Sequence, residues 1–227
     1  LAQEYDRILF VDHTFKYSAP VIKIKEILDS GQLGEIQYIT SSRINLGFHQ
    51  KDISVICDLA PHDLSILFYW LNEEPVEISV RGKGFIRKDI PDVAFINMKF
   101  PSGILVNIHI SWLSPIKLRK TVIVGSKKML VYDDTQPIEK IKIYDKGVTV
   151  TESNDFDQSY LNYRTGNITS PSVDNVEPLR TGINHFLECV ELRKTPFTDG
   201  EDAMRVARAL EYAEKSLRNG GRLLKRC

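Results

Sequence analysis

The residues best suited to chemistry are Asp58 and His62, four apart in the run Cys57-Asp58-Leu59-Ala60-Pro61-His62-Asp63-Leu64-Ser65. On a helix, at roughly 100° per residue, Asp58, His62, Ser65 and Tyr69 fall within about 60° of one another. Leu59, Ile66 and Trp70 take the other flank and face a core. A histidine beside a carboxylate on one polar stripe suits proton transfer, provided its imidazole is neutral. Pro61 has no N–H to give, which predicts a helix with Pro61 in its first turn and Asp58 as N-cap. His62 would then lie near the positive end of the helix dipole, which disfavours the imidazolium. The plain alternative is that Asp58 only caps and His62 is a partly buried histidine bonded to backbone. Asp63 falls on the apolar flank, where a carboxylate is costly unless it is paired or accepts from free first-turn N–H groups.

Other candidates are more dispersed. Arg43, Asn45 and His49 follow a strand leading toward this helix. The arginine fork suits an anionic group, although a solvated arginine at a strand end is the ordinary case. Lys117, Arg119, Lys120, Lys127 and Lys128 form a basic run, read as a solvated edge that blocks strand pairing. Tyr160, Tyr163 and Arg164 lie in the polar stretch 151–176, read as one long loop of the kind that is functional or disordered. The sequence holds no Gly-x-Gly-x-x-Gly, P-loop, His-Glu-x-x-His or Gly-x-Ser-x-Gly motif.

The elements that must position these residues can be read from periodicity. Arg7 to Val11 has strand length. Ser18-Ala19-Pro20 opens a helix carrying Val21, Ile24, Ile27 and Leu28, and Gly31 stops it. Ile36 to Ile44 reads as a strand, and Asp58 to Asn72 as a helix. The pattern then turns to period two: Ile104, Val106, Ile108, Ile110 and Trp112 alternate with Leu105, Asn107, His109, Ser111 and Leu113. Further strands are expected at Val76–Phe85, Val93–Phe100, Lys120–Val124, Met129–Tyr132 and Ile138–Tyr144, joined by short links such as Pro101-Ser102-Gly103. Two helices close the chain, one with a stripe of Leu179, Ile183, Phe186, Leu187 and Val190. The other opens on a capping box, Thr198-Asp199-Gly200-Glu201. The class is α+β, an open and largely antiparallel mixed sheet with helices on one face. Its second face is neither cleanly polar nor apolar, which points to an oligomer interface.

Composition bounds the function. The 227 residues carry 30 Lys+Arg against 30 Asp+Glu, a formal net charge of zero, which argues against a nucleic-acid binder. No apolar run is long enough for a membrane span. Cys57, Cys189 and Cys227 show neither a metal spacing nor a disulfide framework, so a cytoplasmic protein without a metal site is expected. The start, Leu1-Ala2-Gln3, without an initiator Met, reads as a chain entered partway through.

The stretch Val11-Asp12-His13-Thr14-Phe15-Lys16-Tyr17-Ser18-Ala19-Pro20 and the later Leu28-Asp29-Ser30-Gly31-Gln32-Leu33-Gly34-Glu35-Ile36 resemble the start of the C-terminal domain of the glucose–fructose oxidoreductase / inositol dehydrogenase / MocA family. Asp58-Leu59-Ala60-Pro61-His62-Asp63 is similar to that family's Asp-x-x-x-His helix motif. Ser111-Trp112-Leu113-Ser114-Pro115 and Glu177-Pro178-Leu179 resemble a subgroup acting on sugars, including nucleotide sugars. The resemblance implies a dihydrodipicolinate-reductase-like C-terminal domain over residues 13–227, with residues 1–12 a remnant of the last strand of a Rossmann domain. It implies His62 as the catalytic histidine with Asp58 beside it. Arg43, Asn45, Asp63, Tyr160, Tyr163 and Arg164 would approach the substrate. The parent protein would use NAD or NADP, with none bound to this chain alone, and would form a homodimer or homotetramer through the open sheet face. A non-catalytic binding or assembly module on the same scaffold is the alternative.

Overall fold

The computed structural model describes residues 1–152, 159–174 and 176–225, with backbone only at 149–152 and 159–162. A short 3-10 turn, Thr14–Tyr17, leads into α1 (Ala19–Asp29), β1 (Ile36–Leu46) and α2 (Val55–Leu71). Seven strands follow: β2 (Glu77–Lys83), β3 (Val93–Lys99), β4 (Leu105–Ser111), β5 (Leu113–Gly125), β6 (Met129–Asp133), β7 (Ile141–Glu152) and β8 (Ser159–Thr169). Helices α3 (Pro178–Leu192) and α4 (Gly200–Arg218) and a short β9 (Leu224–Lys225) end the fold. The strands form one sheet in the order β8-β7-β6-β5-β1-β4-β3-β2-β9. Among the described residues only β1 and β4 pair in parallel; the other pairs are antiparallel. The expected class therefore holds, and the single parallel pair arises because α2, β2 and β3 intervene between β1 and its neighbour.

Alternation places the site. On β1, Ile39, Ser41 and Arg43 are buried while Thr40 and Ser42 are not. Ile39 pairs with Val106 of β4 and Ile123 of β5 on the same covered face. Helix α2 lies over that face with Ala60, Leu64 and Leu67 inward, and α1 and α4 flank it. The polar members of β1, Ser41 and Arg43, are thus carried under α2, at the end of the sheet where β1 finishes.

Several expectations are corrected. Helix α2 begins at Val55, not Asp58: Ser54 is the N-cap, its hydroxyl accepting from the Cys57 N–H at 3.4 Å. Pro61 is therefore interior, and the Asn72 left-handed residue (φ 52°) ends the helix. The capping box of α4 moves one residue, because Asp199 accepts from the Asp202 N–H at 2.9 Å. Thr198 is instead buried against the Tyr17 hydroxyl at 3.1 Å. Arg7 to Val11 forms no ladder among the described residues; Val11 donates its N–H to the Thr198 carbonyl at 2.8 Å, and its own carbonyl accepts from the His13 N–H at 2.8 Å. A strand is defined by a partner, and the described residues supply none there.

The stretch 151–176 is not one long loop. Residues 159–169 form β8, which pairs with β7. Beyond Tyr144, β7 has β8 as its only ladder partner among the described residues, so this hairpin projects past β6 without a core face to enforce apolar alternation. Nor is β5 an edge: β1 and β6 pair on its two sides, and Lys120 and Arg119 face Asp133 and Asp134 at 3.5 Å. The α3 stripe also points the other way. Gly182 and Cys189 are the buried side of α3, packed toward the 3-10 turn, while Leu179, Ile183, Leu187 and Val190 remain exposed.

Candidate active site

Asp58, His62 and Asp63 enter the site from α2, Ser41 and Arg43 from β1, Arg119 and Thr121 from β5, and Phe15 from the 3-10 turn. Asp63 is a buried carboxylate with two bonds to β1. It accepts from Arg43 Nε at 2.6 Å on one oxygen and from Ser41 Oγ at 2.7 Å on the other. Ser41 Oγ also lies 3.1 Å from Thr121 Oγ1, which ties the pair to β5. Asp63 is thus paired, as its place on the apolar flank demanded, and does not act as a first-turn cap. Arg43, expected at a substrate, is itself buried, and its Nη1 has no hydrogen-bond partner among the described residues.

Asp58 is fixed from the opposite side. Its Oδ2 accepts the Trp112 indole N–H at 2.9 Å, and Trp112 is fully buried. Gly47 lies against that indole so closely that a Cβ there would meet Trp112 Cδ1 at 2.5 Å. His49 packs edge-on to Trp112, with ring centres 5.6 Å apart. The sequence placed Trp112 on a strand but not in this role. A buried indole must hand its N–H to an acceptor, and that requirement is the signal that links it to Asp58.

His62 is half-buried and meets Phe15 edge to face, with ring centres 5.0 Å apart. Its pKa falls from 6.5 to about 4, chiefly through loss of water, then through the Arg43 charge; Asp63 and Asp58 oppose this and Arg119 adds to it. The imidazole is therefore neutral, as expected, but for a different reason. His62 stands two turns inside α2, beyond the reach of the helix-terminal dipole. It can accept one proton at its unprotonated nitrogen while donating a hydrogen bond from the N–H of the other.

The same shift makes stability depend on pH. Native His62 stays neutral as pH falls through 6.5, whereas the unfolded chain takes up the proton. Its contribution is nil above pH 6.5 and grows increasingly unfavourable down to about pH 4. His13 and His109, also lowered by burial, act in the same direction. Asp133 and Asp134, held below the ordinary carboxylate range, give up stability only below about pH 4, outside this window. Urea unfolding at pH 7.5 and pH 4.5 is expected to differ by about 2 to 3 kcal/mol, and His62→Gln to flatten that difference.

The remaining predicted site residues are dispersed. Asn45 sits at the β1 irregularity between the Ile44–Leu118 and Leu46–Leu113 pairings, near the site. Arg164 pairs with Asp145 at 2.9 Å and donates to the Lys127 carbonyl. Lys127 bonds to Leu33, beside the start of β1, seven strand residues or about 23 Å from Arg43. Tyr163 is exposed on the same hairpin, so neither residue is brought to His62. The Tyr160 side chain and Cys227 lie outside the described residues.

Among the described residues no cluster of His, Cys, Asp and Glu could hold a metal ion, and no helix is long and apolar enough to cross a membrane. The positive-φ glycines, such as Gly31, Gly103 and Gly220, fall at helix ends and turns rather than between a strand and a helix N-terminus.

Residues 21–131 match the family model described as the GFO/IDH/MocA C-terminal domain. A 100-residue stretch, 42% of the chain, is 27% identical to inositol 2-dehydrogenase 2 of Saccharopolyspora erythraea and covers 30% of that protein. The fold is similar to UDP-N-acetylglucosamine 3-dehydrogenase from Acidithiobacillus ferrooxidans, with TM-score 0.75, 21% identity, and 96% of this chain over 65% of that one. It is also similar to an inositol dehydrogenase homologue from Azotobacter vinelandii complexed with NADH and myo-inositol. There the TM-score is 0.72 and the identity 15%, with 99% of this chain over 66% of that one. The chain thus spans just under two thirds of the length of these structures. Residues 21–131 thus resemble the GFO/IDH/MocA C-terminal domain, and the fold of the chain is similar to the corresponding part of these dehydrogenase structures.

Proposed function

We propose that the chain is the substrate-binding and oligomerisation domain of an NAD(P)-dependent oxidoreductase acting on a sugar or nucleotide sugar. The observation that carries the reading is His62: a neutral, half-buried imidazole on α2, with a fixed carboxylate one turn before it. Its neutral nitrogen takes the proton of a substrate hydroxyl as the adjacent carbon is oxidised, and returns it in the reverse direction. Asp58, anchored by Trp112, orients the hydroxyl or the imidazole beside it. Arg43 and Asp63 support the site from below, and Asn45 lies at its rim. When bound in the parent protein, nicotinamide supplies the hydride acceptor or donor.

Residues 1–12 lead from a nucleotide-binding domain that precedes Leu1. The exposed face of α3, with Leu179, Ile183 and Leu187, supports this, since an amphipathic helix normally buries that stripe. The open sheet face supports a homodimer or homotetramer. Tyr38, Leu105 and Phe95 are exposed there beside the half-buried Val122 and Val131.

The test is a fluorescence titration of NADH and of NADPH against the protein encoded by the reading frame extended upstream of Leu1. Binding of NADH or NADPH, with oxidation of a sugar alcohol when NAD+ or NADP+ is supplied as the hydride acceptor, is the expected result. Absence of binding of both NADH and NADPH to the longer protein sinks the reading and favours a non-catalytic module.

A further inference from the structure

The interior beneath His62 gathers positive charge. Arg43 is 6% exposed and Asp63 5%, and they bond through a single guanidinium nitrogen, Nε. Arg43 Nη1 is buried with no acceptor, which is a costly arrangement for packing alone. The Arg43 Cζ lies 4.7 Å from the centre of the Phe15 ring, and Arg119 Cζ lies 5.6 Å from the same centre. His62 meets that ring at 5.0 Å. One phenyl ring therefore collects two guanidiniums and the imidazole.

We infer that Arg43 and Arg119 are positioning residues for His62, stacked on Phe15 so that their joint charge keeps the imidazole free of a proton until substrate supplies one. The functional meaning rests on the proton-transfer reading of His62. The charged groups facing His62 are Asp58 and Asp63 from its own helix, Arg43 from β1 and Arg119 from β5; the 3-10 turn contributes only the uncharged Phe15. Both carboxylates are engaged elsewhere, Asp58 by Trp112 and Asp63 by Arg43 and Ser41. Arg119 reaches Asp134 only at 3.5 Å, and that carboxylate also accepts from Lys140 and Tyr132. Burial is the first cause of the depressed pKa of His62; among the charges, Arg43 acts most strongly, Asp63 and Asp58 oppose it, and Arg119 adds the smallest part.

The experiment is an NMR titration of the His62 ring in this chain, alone and in Arg43→Gln, Arg43→Lys and Arg119→Gln. The native ring is expected to titrate near pH 4. Arg43→Gln should raise the midpoint by about one pH unit and Arg119→Gln by about half a unit, the scale of a nearby charge removed. Arg43→Lys, which keeps the charge without the fork, should leave it low. A merely structural role for Arg43 would give no such split between Gln and Lys. An unchanged midpoint in both folded Gln variants, or a native midpoint near the ordinary 6.5, overturns the inference. Should Arg43→Gln fail to fold, Arg119→Gln decides alone, because Arg119 is about one third exposed and tolerates the change. Turnover is not read, so this result and the NADH titration fail independently.

Discussion

His62→Gln, introduced into the protein that carries the proposed nucleotide-binding domain, should lower kcat by about 10²- to 10⁴-fold, the range for loss of a general acid–base group. Glutamine preserves a hydrogen-bonding side chain of similar reach but cannot exchange a proton at neutral pH. KM should move little, because the grip on other substrate hydroxyls is untouched. The fold should survive, since His62 makes one ring contact, with Phe15, and no side-chain hydrogen bond that holds α2 to the sheet. The acidic limb of the kcat profile, set in the native protein by protonation of His62, should vanish in the variant. Steady-state kinetics from pH 4 to 8 provide the check. Unchanged kcat would remove His62 from the proton path, whatever the longer protein binds. Asp58→Asn should have a smaller effect, because an amide oxygen can still accept from the Trp112 indole.

The polar stripe of α2 was readable in the sequence, because helical periodicity alone puts Asp58 and His62 on one side. The reason for a neutral His62 was not. It depends first on burial and then on the charge of Arg43, with a smaller part from Arg119; these residues come from strands adjacent in space but distant in sequence, and Phe15, which packs on them, comes from a turn without periodicity. The start of α2 was misjudged because Pro61 was taken as a boundary. Pro61 is tolerated inside the helix, with a serine cap ahead of it. The strands of the core were legible because burial imposes alternation on them. Strand β8 was not, because its hairpin leaves the layer where one face must be apolar. Asp63 stood between these cases: its place among apolar neighbours demanded a partner, but only the register of β1 shows that the partner is Arg43.

The largest expected loss of stability follows from that pairing. Asp63→Ala leaves the Arg43 guanidinium in the core with neither Nε nor Nη1 partnered. Breaking a buried pair by removing one partner costs about 3 to 5 kcal/mol, because an uncompensated charge stays behind. Ser41 would lose an acceptor but retain its contact with Thr121 at 3.1 Å, so the hydroxyl adds little. Arg43→Met together with Asp63→Leu removes both charges and fills the space with apolar atoms. That double variant should recover most of the loss, since an apolar replacement of a buried ion pair is often neutral. Urea unfolding of Asp63→Leu, Arg43→Met and the double variant closes a cycle, whose coupling energy should reach about 2 kcal/mol or more. A cost below about 1 kcal/mol for Asp63→Ala would mean that water reaches the guanidinium, as it does for exposed pairs. If the double variant is stable but fails in the longer enzyme, Arg43 and Asp63 are retained for the chemistry above them rather than for the fold.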